Sequence, residues 1–251
     1  MALGERFLRI AHRGASGHAP ENTLAAFRLA LEQGTDAIEL DLRSTRDGEV
    51  VVLHDASVDR TTNGRGRLAD LTLAEVERLD AGGWFAPHFR GERIPRLSEV
   101  LGLARRSDVR LLLELKTDGN PASEWIARTV QEVGRAGLVE RVTFLSFDAP
   151  ALEHVRREEA RAATGWLVKR IPPRVVQRLA ALRATALAPH WAGVSAALVR
   201  RLHEAGYPVM AWTVDAPATM RRLLRLGVDA LATNFPDRLN AVLDEARARA
   251  R

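Results

Sequence analysis

The sequence predicts an α/β fold, a TIM (β/α)8 barrel with a small insertion after the hairpin of the second strand, and three observations lead there. Its 251 residues suit one such barrel. About eight short apolar runs read as strands, and from Val109 onward they alternate with amphipathic helical stretches without a break. His12, Glu39, Asp41, Glu114, Lys116, Trp212 and Asn234 stand at the C-terminal ends of those runs, where barrels of this kind carry their chemistry. The alternative is a doubly wound open sheet. It would need a glycine-rich turn between strand and helix, and HRGASG fits neither the dinucleotide nor the P-loop spacing.

Phe7 to Ala11 reads as the first buried strand. Gly14 and Gly17 permit a tight loop, Asn22 is the expected N-cap of a helix with apolar residues at Leu24, Phe27 and Leu31, and Gly34 closes it. Ala37 to Asp55, AIELDLRSTRDGEVVVLHD, reads as a hairpin because Asp47-Gly48 joins two alternating runs. A two-residue turn there sets Arg46 opposite Glu49 and Asp41 opposite His54. Glu39, Asp41 and His54 then share one face, and Leu40, Leu42, Val51 and Leu53 the other. A half-buried hairpin ordinarily has a polar face of this sort. Two carboxylates so close repel, however, unless a cation lies between them, and an all-oxygen set suits magnesium or calcium.

Residues 56–95 read as an insertion over one end of the main body, with one helical stretch from Leu73 to Leu79 and the aromatics Trp84, Phe85 and Phe89. A helix carrying Leu97, Val100, Leu101 and Ala104 precedes the strand Val109 to Lys116, on which Glu114 and Lys116 share a face. Further strands read at Arg141 to Ser146, Ala163 to Val168, Thr185 to Ala188, Pro208 to Val214 and Asp229 to Ala232. Helix ends are marked by Asn120 before Pro121, by Ser195 and Gly206, and by Gly227; the last helix starts near Asp237.

Composition excludes several chemistries. With no cysteine there are no disulfides, thiolate zinc sites or cysteine nucleophiles. A net charge of +5 and a pI near 10.7 raise nucleic acid as a partner, but the arginines are interspersed with glutamates and no basic block or reading motif accompanies them, so no nucleic acid is expected. Lys116 and Lys169 are the only lysines. No apolar run reaches membrane-spanning length and MALGERFLRIAHRG lacks a signal-peptide core, so the expectation is a cytoplasmic protein with no membrane anchor.

HRGASGHAPENTLAAF resembles the HRG…PENT opening of the glycerophosphodiester phosphodiesterase family, in its bacterial, cytoplasmic type. IELDLRSTRDGEVVVLHD resembles that family's E-x-D…DG…V-x-H-D hairpin, LLLELK its E-x-K strand, WFAPHFRGERIPRLSEVL its insertion, and VMAWTVD with GVDALATNFPD its closing strands. Arg96 departs from the small capping residue usual at the start of one helix, away from the site. The resemblance implies a single barrel domain over residues 1–251 in which Glu39, Asp41 and Glu114 hold one divalent metal ion, Mg2+ or Ca2+. It makes His12 and His54 an acid-base pair and gives the phosphate to Arg13 and Lys116, with Trp212 as a wall for the glycerol or the alcohol.

Which histidine acts first as base stays open. Glu21 and Asn234 are possible orienting groups, His18, His88 and His190 peripheral, and His154 and His203 without a chemical role. The implied activity is metal-dependent hydrolysis of a small-molecule glycerophosphodiester substrate to an alcohol and sn-glycerol 3-phosphate, through a cyclic phosphate, by a monomer or homodimer. Two rivals are a catalytically inactive phosphodiester-binding module and a metal hydrolase of the amidohydrolase type. The second would open with His-x-His, where this chain has His12-Arg13-Gly14.

Overall fold

In the computed structural model, which describes residues 7–117 and 124–249, strands and helices alternate around a ring. The chain runs β1 (Leu8–His12), α1 (Leu24–Glu32), β2 (Ala37–Ser44), β3 (Val50–Val52), α2 (Leu73–Val76), α3 (Leu97–Arg105), β4 (Arg110–Leu115) and α4 (Glu124–Arg135). It continues through β5 (Val142–Ser146), α5 (Ala149–Glu158), β6 (Ala163–Val168), α6 (Val175–Ala181), β7 (Ala186–Pro189), α7 (Ala196–Glu204), β8 (Met210–Ala211), α8 (Pro217–Leu226), β9 (Ala230–Thr233) and α9 (Pro236–Arg249). The sheet order is β7-β6-β5-β4-β2-β1-β9-β8, every neighbouring pair in it is parallel, and β3 alone pairs antiparallel, with β2. Single bridges Leu187–Val209 and His190–Trp212 bring the two ends of that order together. The result is a nearly closed barrel of eight parallel strands alternating with helices.

Strand alternation explains both the core and the mouth. Ile10, Ala37, Leu112, Leu145, Leu167, Ala188, Met210 and Ala232 form one cluster inside the ring. Two residues further along each strand direction stand His12, Glu39, Glu114, Phe147, Lys169, His190, Trp212 and Asn234. Each inward row is therefore apolar at its base and carries its polar or aromatic group at the C-terminal end. Gly165 of β6 faces the same interior, and a Cβ there would lie 2.5 Å from Leu145 Cδ2 and 2.9 Å from Met210 Cε, so this position leaves the space that two larger neighbours fill. The opposite strand faces pack against the helices in two larger clusters, one around Phe27, Leu113 and Phe144, the other around Leu179, Leu202 and Leu223.

The hairpin departs from the expected register. Leu42 pairs with Val52 and Ser44 with Val50, which puts Leu53 and not His54 opposite Asp41; the Leu53 N–H donates to the Asp41 carbonyl at 3.0 Å. The connection is a three-residue loop closed by Gly48 N–H to Thr45 O, with Gly48 at φ +79°, the geometry of a type I turn followed by a left-handed residue. As a result Val51 and Leu53 leave the face of Leu42 and Val52 and join Val58, Leu68, Val76, Ala81 and Ile94 in a small separate core. That core belongs to residues 56–95, whose α-helical stretch is the single turn α2 with a Thr72–Glu75 capping box, beside 3-10 turns at Leu68–Asp70 and Pro87–Phe89.

Thr23, not Asn22, caps α1, accepting the Ala26 N–H at 3.3 Å. At α3 the Arg96 side chain offers no acceptor; Glu99 takes the Arg96 N–H instead at 2.9 Å, and the guanidinium reaches Glu77. Ser195 and Gly227 cap α7 and α8 as expected. The Asn120-Pro121 helix start lies outside the described residues. Among the described residues no helix is long and apolar enough to cross a membrane.

Candidate active site

Three carboxylates meet at the mouth because the parallel registers put them side by side: Glu39 pairs with His12, and Asp41 with Glu114. One oxygen from each of Glu39, Asp41 and Glu114 lies within 4.8 Å of the others, and all three side chains are buried. Burial, then the charges of Asp41 and Glu114, push the Glu39 pKa well above the carboxylate range. Burial and then Asp41 push Glu114 up to about 7, against Lys116. Burial acts on Asp41 in the same direction, but Lys116, Arg13 and His54 together outweigh it and hold its carboxyl well below the usual value.

Cations and amides ring this trio. Lys116 Nζ stands 2.5 Å from Glu114 Oε1 and 3.0 Å from Asp41 Oδ1. Arg13 Nε stands 3.1 Å from Asp41 Oδ2, and the Arg13 N–H donates to Glu39 Oε2 at 3.1 Å. Asn22 clasps Asp41, its Nδ2 donating to Oδ2 at 2.8 Å and its Oδ1 accepting the Asp41 N–H at 3.3 Å. To do so Asn22 adopts φ +59°, which asparagine tolerates, while Arg13 at φ +56° is a strained backbone beside the site. Arg13 Nε meets Asp41 as an ion pair without a hydrogen bond, Asp41 Oδ1 has the Lys116 ammonium as its neighbour, and Glu39 Oε1 is buried with no hydrogen-bond partner. An orphaned Glu39 oxygen in an all-carboxylate trio fits a hard divalent cation.

The two imidazoles are held differently. His12 Nδ1 lies 2.7 Å from Asn234 Oδ1. Asn234 Nδ2 donates to Asp215 Oδ2 at 2.7 Å, and since a carboxylate only accepts, the amide is fixed with its oxygen toward His12. His12 therefore carries its proton on Nδ1 and keeps the Nε2 lone pair, 3.9 Å from Glu39 Oε2. Burial, then Arg13, push its pKa down to about 4. His54 Nδ1 instead faces a carboxylate, Asp55 Oδ1, at 2.6 Å; burial lowers its pKa while Asp41 opposes the shift.

These groups open onto a cavity of about 810 Å³ at the C-terminal end of the ring, lined by His12, Arg13, Glu39, His54, Glu114, Lys116 and Trp212; Asp41, fully buried, does not line it but contacts the lining residue Lys116. All eight candidate residues thus come together. Trp212 donates Nε1–H to Ala188 O at 2.7 Å and meets Phe147 and His190 edge to face, each at 5.5 Å. Phe147 is 40% exposed on the rim, and Lys169 Nζ lies 5.7 Å from its ring centre. Of the remaining histidines, His18 contacts Asp237 and Phe235, His203 contacts Asp229, and both lie away from the carboxylates.

Sequence reasoning missed Phe147, Lys169, Asp55, Asp215 and the part Asn22 plays. The first two were within reach, being two residues beyond the inward-facing Leu145 and Leu167; the others act from loops that carry no periodic signal.

Residues 12–238 match the model of the glycerophosphoryl diester phosphodiesterase family. A glycerophosphodiester phosphodiesterase of Caldanaerobacter subterraneus is 37% identical over 232 residues, 92% of this chain and 96% of that protein. One from Bacillus subtilis is 32% identical over 95% of this chain and 87% of its own length. Among solved structures, a phosphodiesterase of Oleispira antarctica in complex with the product sn-glycerol-3-phosphate superposes with a TM-score of 0.87 at 32% identity, covering 94% of this chain and 96% of that one.

Proposed function

The chain belongs to the glycerophosphoryl diester phosphodiesterase family, and from this and the geometry of its mouth we infer that it hydrolyses glycerophosphodiesters to an alcohol and sn-glycerol 3-phosphate. The observation that carries the reading is the convergence of three buried carboxylates, one of them with an unpartnered oxygen, with Arg13, Lys116 and two imidazoles at one opening. Glu39, Asp41 and Glu114 would hold one magnesium or calcium ion, which when bound would offset most of the trio's charge and polarise a phosphate oxygen. Arg13 offers a planar fork to the phosphate and Lys116 a point charge. Trp212 walls the cavity against the glycerol side.

The hydrogen bonds of the two histidines favour one division of labour. His12, held on Nδ1 by a neutral amide, presents an unprotonated Nε2 and takes the proton of the glycerol hydroxyl adjacent to the phosphate ester. His54, whose Nδ1 faces a carboxylate, is the better imidazolium and protonates the departing alcohol oxygen as its bond to phosphorus breaks. The adjacent hydroxyl is preferred to bulk water because an oriented internal nucleophile has an effective molarity of roughly 10⁵ M or more. The product of this step is a cyclic phosphate. Water then opens the ring, with His54 now taking a proton and His12 returning one.

The test uses purified protein stripped with chelator and re-supplied with single metals, assayed on glycerophosphocholine, glycerophosphoethanolamine and glycerophosphoglycerol for release of sn-glycerol 3-phosphate. Activity restored by one hard cation is expected, and full activity in chelator would overturn the metal role. A diester lacking the adjacent hydroxyl should turn over at least about 10²-fold more slowly. Brisk turnover of that compound would exclude the cyclic route.

A further inference from the structure

We propose that Arg60, contributed by the segment between the hairpin and α3, is a positioning residue that fixes Arg13 and His54 at one spacing across the phosphate; it rests on the reading that Arg13 grips the phosphate and His54 serves the leaving group. Its planar guanidinium joins two carboxylates. Arg60 Nη1 and Nη2 donate to Glu21 Oε2 and Oε1 at 2.9 and 2.8 Å, and Nε donates to Asp55 Oδ2 at 2.6 Å. Each carboxylate also serves a residue of the mouth. Glu21 Oε1 accepts Arg13 Nη1–H at 2.8 Å, and Asp55 Oδ1 holds His54 Nδ1 at 2.6 Å. One side chain thus closes a path from Arg13 through Glu21, Arg60 and Asp55 to His54.

Arg60 is itself well seated although its side chain is 45% exposed. Val58, Thr61 and Thr62 around it are buried, Thr62 Oγ1 donates to Val58 O at 2.6 Å, and Val58 belongs to the small core of the insertion. Asn63 and Asp80 bond each other twice, N–H to O at 3.1 Å and N–H to Oδ1 at 2.9 Å, tying the loop to the far side of that segment. Half-exposed ion pairs add little to stability, so folding alone gives weak reason for three short bonds to two acids here. Removing the guanidinium would leave Glu21 and Asp55 as neighbouring like charges that had shared one cation, free to turn their partners. A lysine cannot replace it, because a single ammonium does not span a bidentate carboxylate and a second acid at once.

The experiment compares Arg60→Met, Arg60→Lys, Glu21→Gln, Asp55→Asn and the double variant Arg60→Met/Asp55→Asn with the full chain in saturating magnesium, reading kcat and KM separately together with the thermal midpoint. Glu21→Gln should act mainly on KM and Asp55→Asn mainly on kcat. Arg60→Met should move both, by up to about 10²-fold, the scale of a 1 Å misplacement, with the midpoint little changed. Arg60→Lys should recover only a small part. In the double variant kcat should fall no further than in Asp55→Asn, because the two act through one contact. Wild-type kinetics in Arg60→Met, or losses that multiply in the double variant, would overturn the proposal.

A second readout needs no substrate. In histidine-labelled protein the His54 Nδ1 proton, assigned by its loss in His54→Gln, should resonate far downfield and should weaken or shift in Arg60→Met. An unchanged signal would overturn the clamp even in an enzyme of altered rate. A wild type inactive on every glycerophosphodiester would instead overturn the functional reading, and this signal would still decide the clamp.

Discussion

Asp41 shows how much one side chain carries at this mouth. It is fully buried and touches Asn22, Arg13 and Lys116, so it balances two partly buried cations besides offering an oxygen to the trio. Asp41→Ala should therefore cost roughly 3–5 kcal/mol of folding free energy, the scale for breaking a buried ion pair from one side, in chemical denaturation. Lost activity in that variant would mix fold and function. Glu39→Gln separates them, because Glu39 Oε1 has no partner to lose. Calorimetric titration should show magnesium affinity falling by more than the roughly 10–100-fold typical of losing a group behind a ligand, with stability nearly kept; unchanged affinity would remove Glu39 from the metal set. Asp215 acts at one remove, since it takes the Asn234 amide N–H and, with the Ser16 hydroxyl that donates to the Asn234 oxygen, keeps that oxygen toward His12. Asp215→Ala should lower kcat by about 10²-fold, the lower range for a positioned base, while calorimetric magnesium affinity stays as it was.

The β2–β3 hairpin is where local chemistry and tertiary packing meet most visibly. Asp47-Gly48 marks a turn, as expected, but the residue that needs a left-handed backbone is Gly48 alone, and the loop holds three residues. One extra loop residue shifts the pairing by one and moves Val51 and Leu53 to the other face, where they found the small core of residues 56–95. His54 reaches the cavity after the pairing has ended, through the chain's departure from β3, and not by facing Asp41 across the ladder. Gly48→Ala should destabilise the protein by about 1–2 kcal/mol in urea unfolding, and Gly48→Asn by clearly less, since asparagine visits that conformation. Equal losses from the two would mean the turn is not the constraint.

For the molecule as a whole, closing eight strands into a ring concentrates charge at one end, and that has a pH signature in the metal-free protein. Glu114 is raised to about 7 and Glu39 is raised as well, both chiefly by burial. A carboxyl so shifted keeps its proton in the fold at pH values where the unfolded chain has lost it. That contribution favours the fold most below the ordinary glutamate value of 4.5 and is lost as pH rises through about 7. The thermal midpoint in chelator should accordingly fall as pH rises from about 6.5, above which neutral His12 no longer adds the opposite slope, through about 7, and saturating magnesium or calcium should flatten the slope by taking the place of the protons. A flat profile in chelator would contradict the buried trio as drawn. The eight strands and the kinds of residue at their ends were settled by sequence, because apolar alternation with period two forces residues two apart onto one face whatever surrounds them. Within that rule Ile10 leads to His12, Leu112 to Glu114 and Met210 to Trp212, and the same step would have reached Phe147 and Lys169. What tertiary structure alone decided are the partners: Asn22 on Asp41 across 19 residues, Arg60 on Glu21 across 39, Asn234 on His12 across 222. Propensity and alternation act between neighbours in the chain, whereas a hydrogen bond between two loops exists only after the ring has closed and brought them within about 3 Å.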